Sequence, residues 1–248
     1  MPSSKIPKRK IDQVQTIVLD AGHGGNDPGC NGAGEVWEKE VTLAVVLKVG
    51  KFLKDSIPEM RVLYTRQTDK SLKLWERPNF ANRNEADLFI SVHCNANPNV
   101  KAAGSETYFM GLHKNQGNLD VAKRENSAIV FESDYKDNQR YGGFDPNSAE
   151  GHIIFSLVQN AFLTQSLRLS TMVEEETGKI SQIRSRGVKQ AGFLVLWQTS
   201  MPSILIETGF LTNNNDRQYL NTDEGKTAVA LGIFRAIKNY KNSVEKKH

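Results

Sequence analysis

Short apolar runs alternate with amphipathic stretches along most of the chain. Residues 16–20 (TIVLD) read as a first strand, and a glycine-rich loop, AGHGGNDPGCNGAG, follows. Over residues 38–54, Val41, Ala44, Val45, Val49 and Phe52 recur at helical spacing behind Gly32 and Gly34. Pro58 closes that connection, and residues 61–65 read as a second strand. Residues 71–86 carry a helical pattern interrupted at Pro78. Residues 88–92, 105–110, 193–197 and 203–206 read as four more strands, and residues 223–240 as a closing amphipathic helix. This alternation predicts an α/β fold: a single domain with a mixed or mostly parallel sheet of about six strands and helices on both faces. A length of 248 residues fits one domain.

The rhythm breaks between about residues 122 and 178. That stretch is mostly helical in pattern, with a polar, turn-rich middle, FESDYKDNQRYGGFDPNS. Asn147 or Ser148 is placed to cap a helix whose apolar positions are Ile154, Leu157, Val158, Ala161 and Phe162. Inserts of this length in a compact domain often serve as lids or regulators; an ordinary covering helix has equal weight here.

Composition narrows the class. Hydrophobic residues make up 38% and charged residues 24%, a balance typical of soluble domains. No stretch approaches the roughly 20 apolar residues that cross a bilayer. The net charge of +4 is matched by Lys5, Lys8, Arg9 and Lys10 in the first ten residues, where no acid offsets them. A basic leader over 1–13, expected to be disordered, thus precedes a neutral body at 14–242, which argues against nucleic-acid binding. The leader has no apolar core and does not read as a signal peptide. Two cysteines, Cys30 and Cys94, are too few for a disulfide scaffold. Cys94 follows His93 directly, so on a strand it points to the opposite face.

The candidate chemistry lies at the ends of the apolar runs. His23, His93 and Glu207 each stand at or just beyond the C-terminal end of such a run, where open α/β sheets gather their ligands. Glu38 stands 15 positions after His23, and Glu40 competes with it on the same helical turn. Two histidines and one glutamate suit a hydrolytic metal, leaving a second glutamate as base. His113 and His152 end no apolar run. Taken singly, each of these residues has an ordinary structural explanation. A histidine after a strand serves hydrogen bonding, and a glutamate at a helix start is favoured by the dipole.

The motifs together are more specific. DAGHGGNDPG, EKEVTL, TRQTD, ERPNFANRNEADLFISVHCNA and PSILIETGFLTN, in that order, resemble the zinc-dependent N-acetylmuramoyl-L-alanine amidases of bacterial cell-wall turnover. The resemblance spans about residues 16–240. It implies one Zn2+ held by His23, Glu38 and His93, which selects Glu38 over Glu40, and Glu207 as the catalytic glutamate. The implied reaction is hydrolysis of the amide between N-acetylmuramic acid and L-alanine of the stem peptide, by zinc-activated water with a glutamate general base. Asn95 and Arg77 match recurrent family residues and are expected near the substrate. For Arg66, Asp69 and Arg77 an ion-pair set that holds loops is the stronger expectation.

Some family members that act in cell separation carry a helix in the insert that blocks the zinc until an activator protein displaces it. The resemblance extends that expectation to this insert, with Glu132 and Glu150 as candidate plug residues. Peptidoglycan as substrate implies an envelope, periplasmic or secreted location, with an export signal already removed. A monomer is the default. Two other functions compete: a zinc peptidase of the stem peptide, and a catalytically silent wall-binding or regulatory module on the same fold. The presence of all four of His23, Glu38, His93 and Glu207 counts against the silent module.

Overall fold

The computed structural model describes residues 12–132, 141, 148 and 162–246. Its strands are β1 (Thr16–Ala21), β2 (Asn31–Gly32), β3 (Val36–Trp37), β4 (Arg61–Tyr64), β5 (Leu88–Asn95), β6 (Ser105–Met110), β7 (Ser185–Ala191) and β8 (Ser203–Phe210). Its helices are α1 (Glu38–Ser56), α2 (Glu76–Arg83), α3 (Gln116–Asn126), α4 (Leu163–Ile180), α5 (Asn214–Asn221) and α6 (Asp223–Glu245). Among the described residues, six strands form one sheet in the order β4-β1-β5-β8-β6-β7. All neighbours are parallel except the antiparallel β6–β8 pair, so the expected mixed, mostly parallel sheet is present.

Strand alternation divides the core in two. Ile17, Leu19, Leu88, Ile90, Ile204 and Ile206 face α1, α4 and α6, while Val18, Phe89, Tyr108 and Leu205 face α2, α3 and the loops beside them. Central strands buried on both faces read as continuous apolar runs, which is why β1, β5 and β8 stand out in the sequence. In α1 the buried positions Val41, Val45, Val46, Val49 and Leu53 form the expected apolar face.

Two expectations are corrected. Residues 193–197 are not a strand: Leu194–Leu196 form a turn of 3-10 helix, and the sixth strand is β7. The run FLVLW is apolar because it is buried beneath α3, and periodicity cannot separate a short buried helix from a strand. β7 escaped notice because it is an edge strand of half-exposed, mostly polar residues, SRGVKQA, with Gly187 at φ +83°. Pro78 also does not interrupt a helix. α2 starts at Glu76, so Pro78 falls in its first turn, where an N–H has no intrahelical partner. Residues 149–161, the expected start of the insert helix, lie outside the described residues, as does most of the leader.

The helices α4 and α6 pack closely enough to exclude a side chain. A Cβ on Gly232 of α6 would lie 2.6 Å from the Thr177 Cα of α4. Gly232→Ala is therefore expected to destabilise the fold by about 1–3 kcal/mol despite the better helix propensity of alanine. Chemical denaturation checks this, and an unchanged or higher midpoint would refute the close packing.

Candidate metal centre and active site

Each site residue is delivered by a strand end or a helix end. His23 lies two residues beyond β1 with φ 60°, a left-handed conformation within a glycine-rich turn. His93 and Asn95 are on β5 and Glu207 is on β8. His93 and Glu207 are register partners on adjacent strands, so their side chains share a face. Glu38 is the first residue of α1 and is fully buried, whereas Glu40, one turn position away, is exposed. Of the two glutamates, Glu38 is the one in the buried cluster.

The imidazoles and carboxylates converge. Glu38 Oε1 lies 3.0 Å from His23 Nε2 and 3.1 Å from His93 Nδ1. A fourth residue completes the group: Glu125 Oε2 lies 3.2 Å from His23 Nε2 and 2.9 Å from His93 Nδ1. One donor atom from each of these four buried residues falls within 4.8 Å of every other. His23 Nε2 and Glu125 Oε2 are buried and make no hydrogen bond of acceptable geometry, although they face each other. Orphaned donor atoms aimed at one point, in a set of two imidazoles and two carboxylates, fit a divalent cation such as Zn2+.

The surrounding residues hold these four side chains in place. Asp27 Oδ2 lies 2.8 Å from His23 Nδ1 and so turns the other ring nitrogen toward the cluster. The backbone N–H groups of Cys30 and Cys94 donate to the two oxygens of Glu38 at 2.8 and 2.9 Å. The Cys94 side chain lies in the core on the opposite face of β5, as alternation requires. Two glycines leave room for the ligands. A Cβ on Gly22 would meet the His93 ring at 2.5 Å, and one on Gly29 would meet Glu38 Oε2 at 2.6 Å.

Arg77 and Arg66 brace the loop that carries His23. Arg77 donates to Asp20 Oδ1 at 2.9 Å and to the carbonyls of Ala21 and His23 at 2.8 and 2.9 Å. Arg66 donates to the Ala21 and Gly22 carbonyls at 3.0 and 2.7 Å. Asp69 accepts from Gly25 N and Lys39 Nζ, each at 2.7 Å. These are the loop-holding contacts expected of such a set. Asn95 donates to Glu106 Oε2 at 3.1 Å, and its Oδ1 accepts from Arg124 at 3.0 Å.

Glu132 lines a cavity of about 420 Å3 together with His23, His93 and Glu125. Its own carboxylate accepts from Leu74 N and the Tyr141 hydroxyl, at 2.8 and 2.7 Å, and it is not part of the four-residue cluster. His113 is half-buried and also outside the cluster. Glu150 and His152 lie outside the described residues.

Sequence reasoning missed Glu125 and Arg124, which join the site. Arg124 reaches Glu125 Oε1 at 2.8 Å and Glu207 Oε1 at 3.1 Å, leaving Glu207 Oε2 buried and without a partner. A signal was present. Glu125 follows Val121 by four and Ala122 by three, so it is an acid on the buried face of α3. Such an acid needs a partner.

Electrostatics follow from burial in company. Burial opposes charge on both imidazoles, but the neighbouring carboxylates outweigh it. They hold the pKa of His23 well above its ordinary value and push that of His93 up to about 9. Burial works against the charge on Glu125 and Glu38 as well. Arg124 and His93 for Glu125, and the two histidines for Glu38, still keep both carboxyls low. Burial, reinforced by Glu125, pushes Glu207 up to about 8.

Fold and site together define a single α/β domain with a buried cluster fit for a metal ion. The chain belongs to the N-acetylmuramoyl-L-alanine amidase family, which it matches over residues 17–239. It is accordingly an amidase acting on peptidoglycan. It is 30% identical to the amidase AmiA of Escherichia coli K12 over 237 residues, covering 96% of this chain and 80% of that protein. It is 32% identical to the uncharacterised YqiI of Bacillus subtilis over 226 residues, covering 91% of this chain and 84% of the relative. Among solved structures it resembles an amidase from Clostridium difficile 630, with TM-score 0.68 and 25% identity over 93% of this chain and 98% of the other. It also resembles AmiC2 of Nostoc punctiforme, with TM-score 0.64 and 26% identity over 91% and 96%. No described helix is long and apolar enough to cross a membrane.

The raised histidine values give a prediction of definite sign. In the metal-free protein the stability from protonated His23 and His93 is fully present below the ordinary imidazole value of 6.5. It is lost as pH rises through about 9, the His93 value. Metal-free protein should therefore become less stable from pH 6.5 to 9. Zinc-loaded protein, whose imidazoles hold no such protons, should lack that decline. Denaturation curves across this range check both, and identical profiles with and without metal would remove the cluster as the cause.

Proposed function

We propose that the chain hydrolyses the amide between N-acetylmuramic acid and the first L-alanine of the stem peptide. In this reading His23, Glu38 and His93 hold one Zn2+ and Glu207 is the base. The observation that carries it is the register pairing of His93 with a buried Glu207 whose Oε2 has no partner. When bound, zinc supplies Lewis acidity at the scissile carbonyl and makes the attacking water more acidic.

The chain's own groups do the rest. Glu207 Oε2 takes the proton from the attacking water and delivers it to the departing alanine nitrogen. Burial raises the pKa of Glu207, which helps it hold the proton between those two steps. Asp27 fixes the donor face of His23, and Arg77 acts through the loop carrying that residue. Asn95 becomes free to meet substrate once Arg124 leaves its Oδ1.

We assign the inhibitory contact to Glu125, the fourth donor of the cluster, which Glu132 does not join. Catalytic zinc sites keep one position open, and a fourth protein donor closes it. Arg124, from the same turn of α3, pairs the base as well. Release requires α3 to move, which is the work of an activator protein acting on the insert. The site of action is then the cell envelope, and the working unit a monomer.

Purified muropeptides and mass analysis of their products test the reaction. Stem peptide beginning with alanine, lost on chelation and restored by zinc, is expected; a cut within the stem would favour the peptidase. Glu207→Ala should retain stoichiometric zinc while turnover falls about 100- to 10,000-fold. Undiminished turnover in that variant would refute Glu207 as the base.

A further inference from the structure

A second buried carboxylate stands beside the first. Glu106 is the register partner of Glu207 across the antiparallel β6–β8 pair, so the two side chains share a face with Cβ atoms about 5 Å apart. Glu106 is only 2% exposed and takes four donors. Asn95 Nδ2 and the Tyr108 hydroxyl reach Oε2 at 3.1 and 2.7 Å, and Arg186 Nε and Lys189 Nζ both reach Oε1, the former at 2.6 Å.

Two cations therefore converge on one oxygen of Glu106, while Glu207 opposite is paired by Arg124. One cation would neutralise Glu106; the second repels the first in a partly desolvated place. Arg186 is fixed further by the Ala103 carbonyl at 3.3 Å and by the Phe210 ring, 5.3 Å below its guanidinium carbon. Lys189 has three donors, and Glu106 is the one acceptor recorded for it among the described residues. Both side chains keep access to solvent, at 40% and 21% exposure. Nothing in the hydrolytic step uses them. A rigid, preorganised cation pair with spare donors suits an incoming carboxylate.

The peptide of a muramoyl peptide supplies such a group. Its second residue is an acid joined through its side-chain carboxyl, which leaves the α-carboxylate free in some cell walls and amidated in others. Strands lie about 4.8 Å apart, so the cations gathered at Glu106 are one strand spacing beyond Glu207. Two extended residues span at most about 7 Å, which covers that step.

We propose that Arg186 and Lys189, seated on Glu106, form a carboxylate subsite that recognises the acidic second residue of the stem peptide. This rests on the amidase reading of the same site. It makes the pair a specificity determinant, with Glu106 as the positioning residue.

The test uses two synthetic muramoyl peptides that differ only in an α-carboxylate or α-carboxamide on the second residue. Both are assayed with the zinc-loaded full chain and with its Glu125→Ala variant. The carboxylate substrate should have the lower KM. Lys189→Met and Arg186→Gln should each raise that KM about tenfold, with kcat and the carboxamide KM unchanged, while Lys189→Arg should keep the preference. Equal KM values for the two substrates in the unsubstituted chain, or variants that raise both KM values alike, would overturn the subsite. Cleavage of neither substrate by either chain would instead refute the amidase reading, and the subsite with it.

Discussion

Ionisable groups buried together constrain this molecule more than any other feature. His23, Glu38, His93 and Glu125 have almost no contact with water, yet burial of an unpaired charge is expensive. Only two arrangements relieve that cost: mutual pairing as imidazolium and carboxylate, or neutral imidazoles and carboxylates around a cation. The geometry serves both, because the same donor atoms that pair at about 3 Å also surround one point. Proton and metal therefore compete for the same four residues, and the pKa directions and the metal fit have one physical origin.

Much of the nearby structure exists to keep that cluster assembled. The parallel register of β5 and β8 puts His93 beside Glu207, and the start of α1 delivers Glu38 onto two backbone N–H groups. Glycine at positions 22 and 29 keeps side-chain volume away from the ligands. Asp20 neutralises Arg77 while also accepting from the Thr65 and Ser91 hydroxyls, which ties the His23 loop to β5. The ligands are held by elements buried on both faces of the sheet. α3, which brings Arg124 and Glu125, packs through Val121 and Ala122 on one face of the sheet.

The parts legible in the sequence are those where one physical cause dominates. Strands β1, β5 and β8 were readable because burial on both faces makes them continuously apolar, and their ends pointed to His23, His93 and Glu207. Glu38 could not be told from Glu40 by pattern, since both occupy a helix's first turn; the difference is a rotation that only packing fixes. β7 was hidden because an edge strand needs few apolar residues, and the run 193–197 misled because a short buried 3-10 segment is equally apolar. Glu125 carried a local signal, an acid on the buried face of α3, but its partners lie 32 and 102 residues earlier in the chain. Glu106 offered less still. Its importance comes from lying across from Glu207 in a strand pair that joins distant segments.

Whether Glu125 closes a position that catalysis needs open decides between an inhibited site and an ordinary one. Zinc affinity, by competition with a chromophoric chelator, and turnover of purified muropeptide should be measured together on the full chain and on Glu125→Ala. Opposite movements are expected: weaker zinc binding through loss of one donor, and faster turnover through release of the fourth position. Weaker binding with equal or slower turnover would make Glu125 an ordinary ligand, and unchanged affinity would remove it from the metal site.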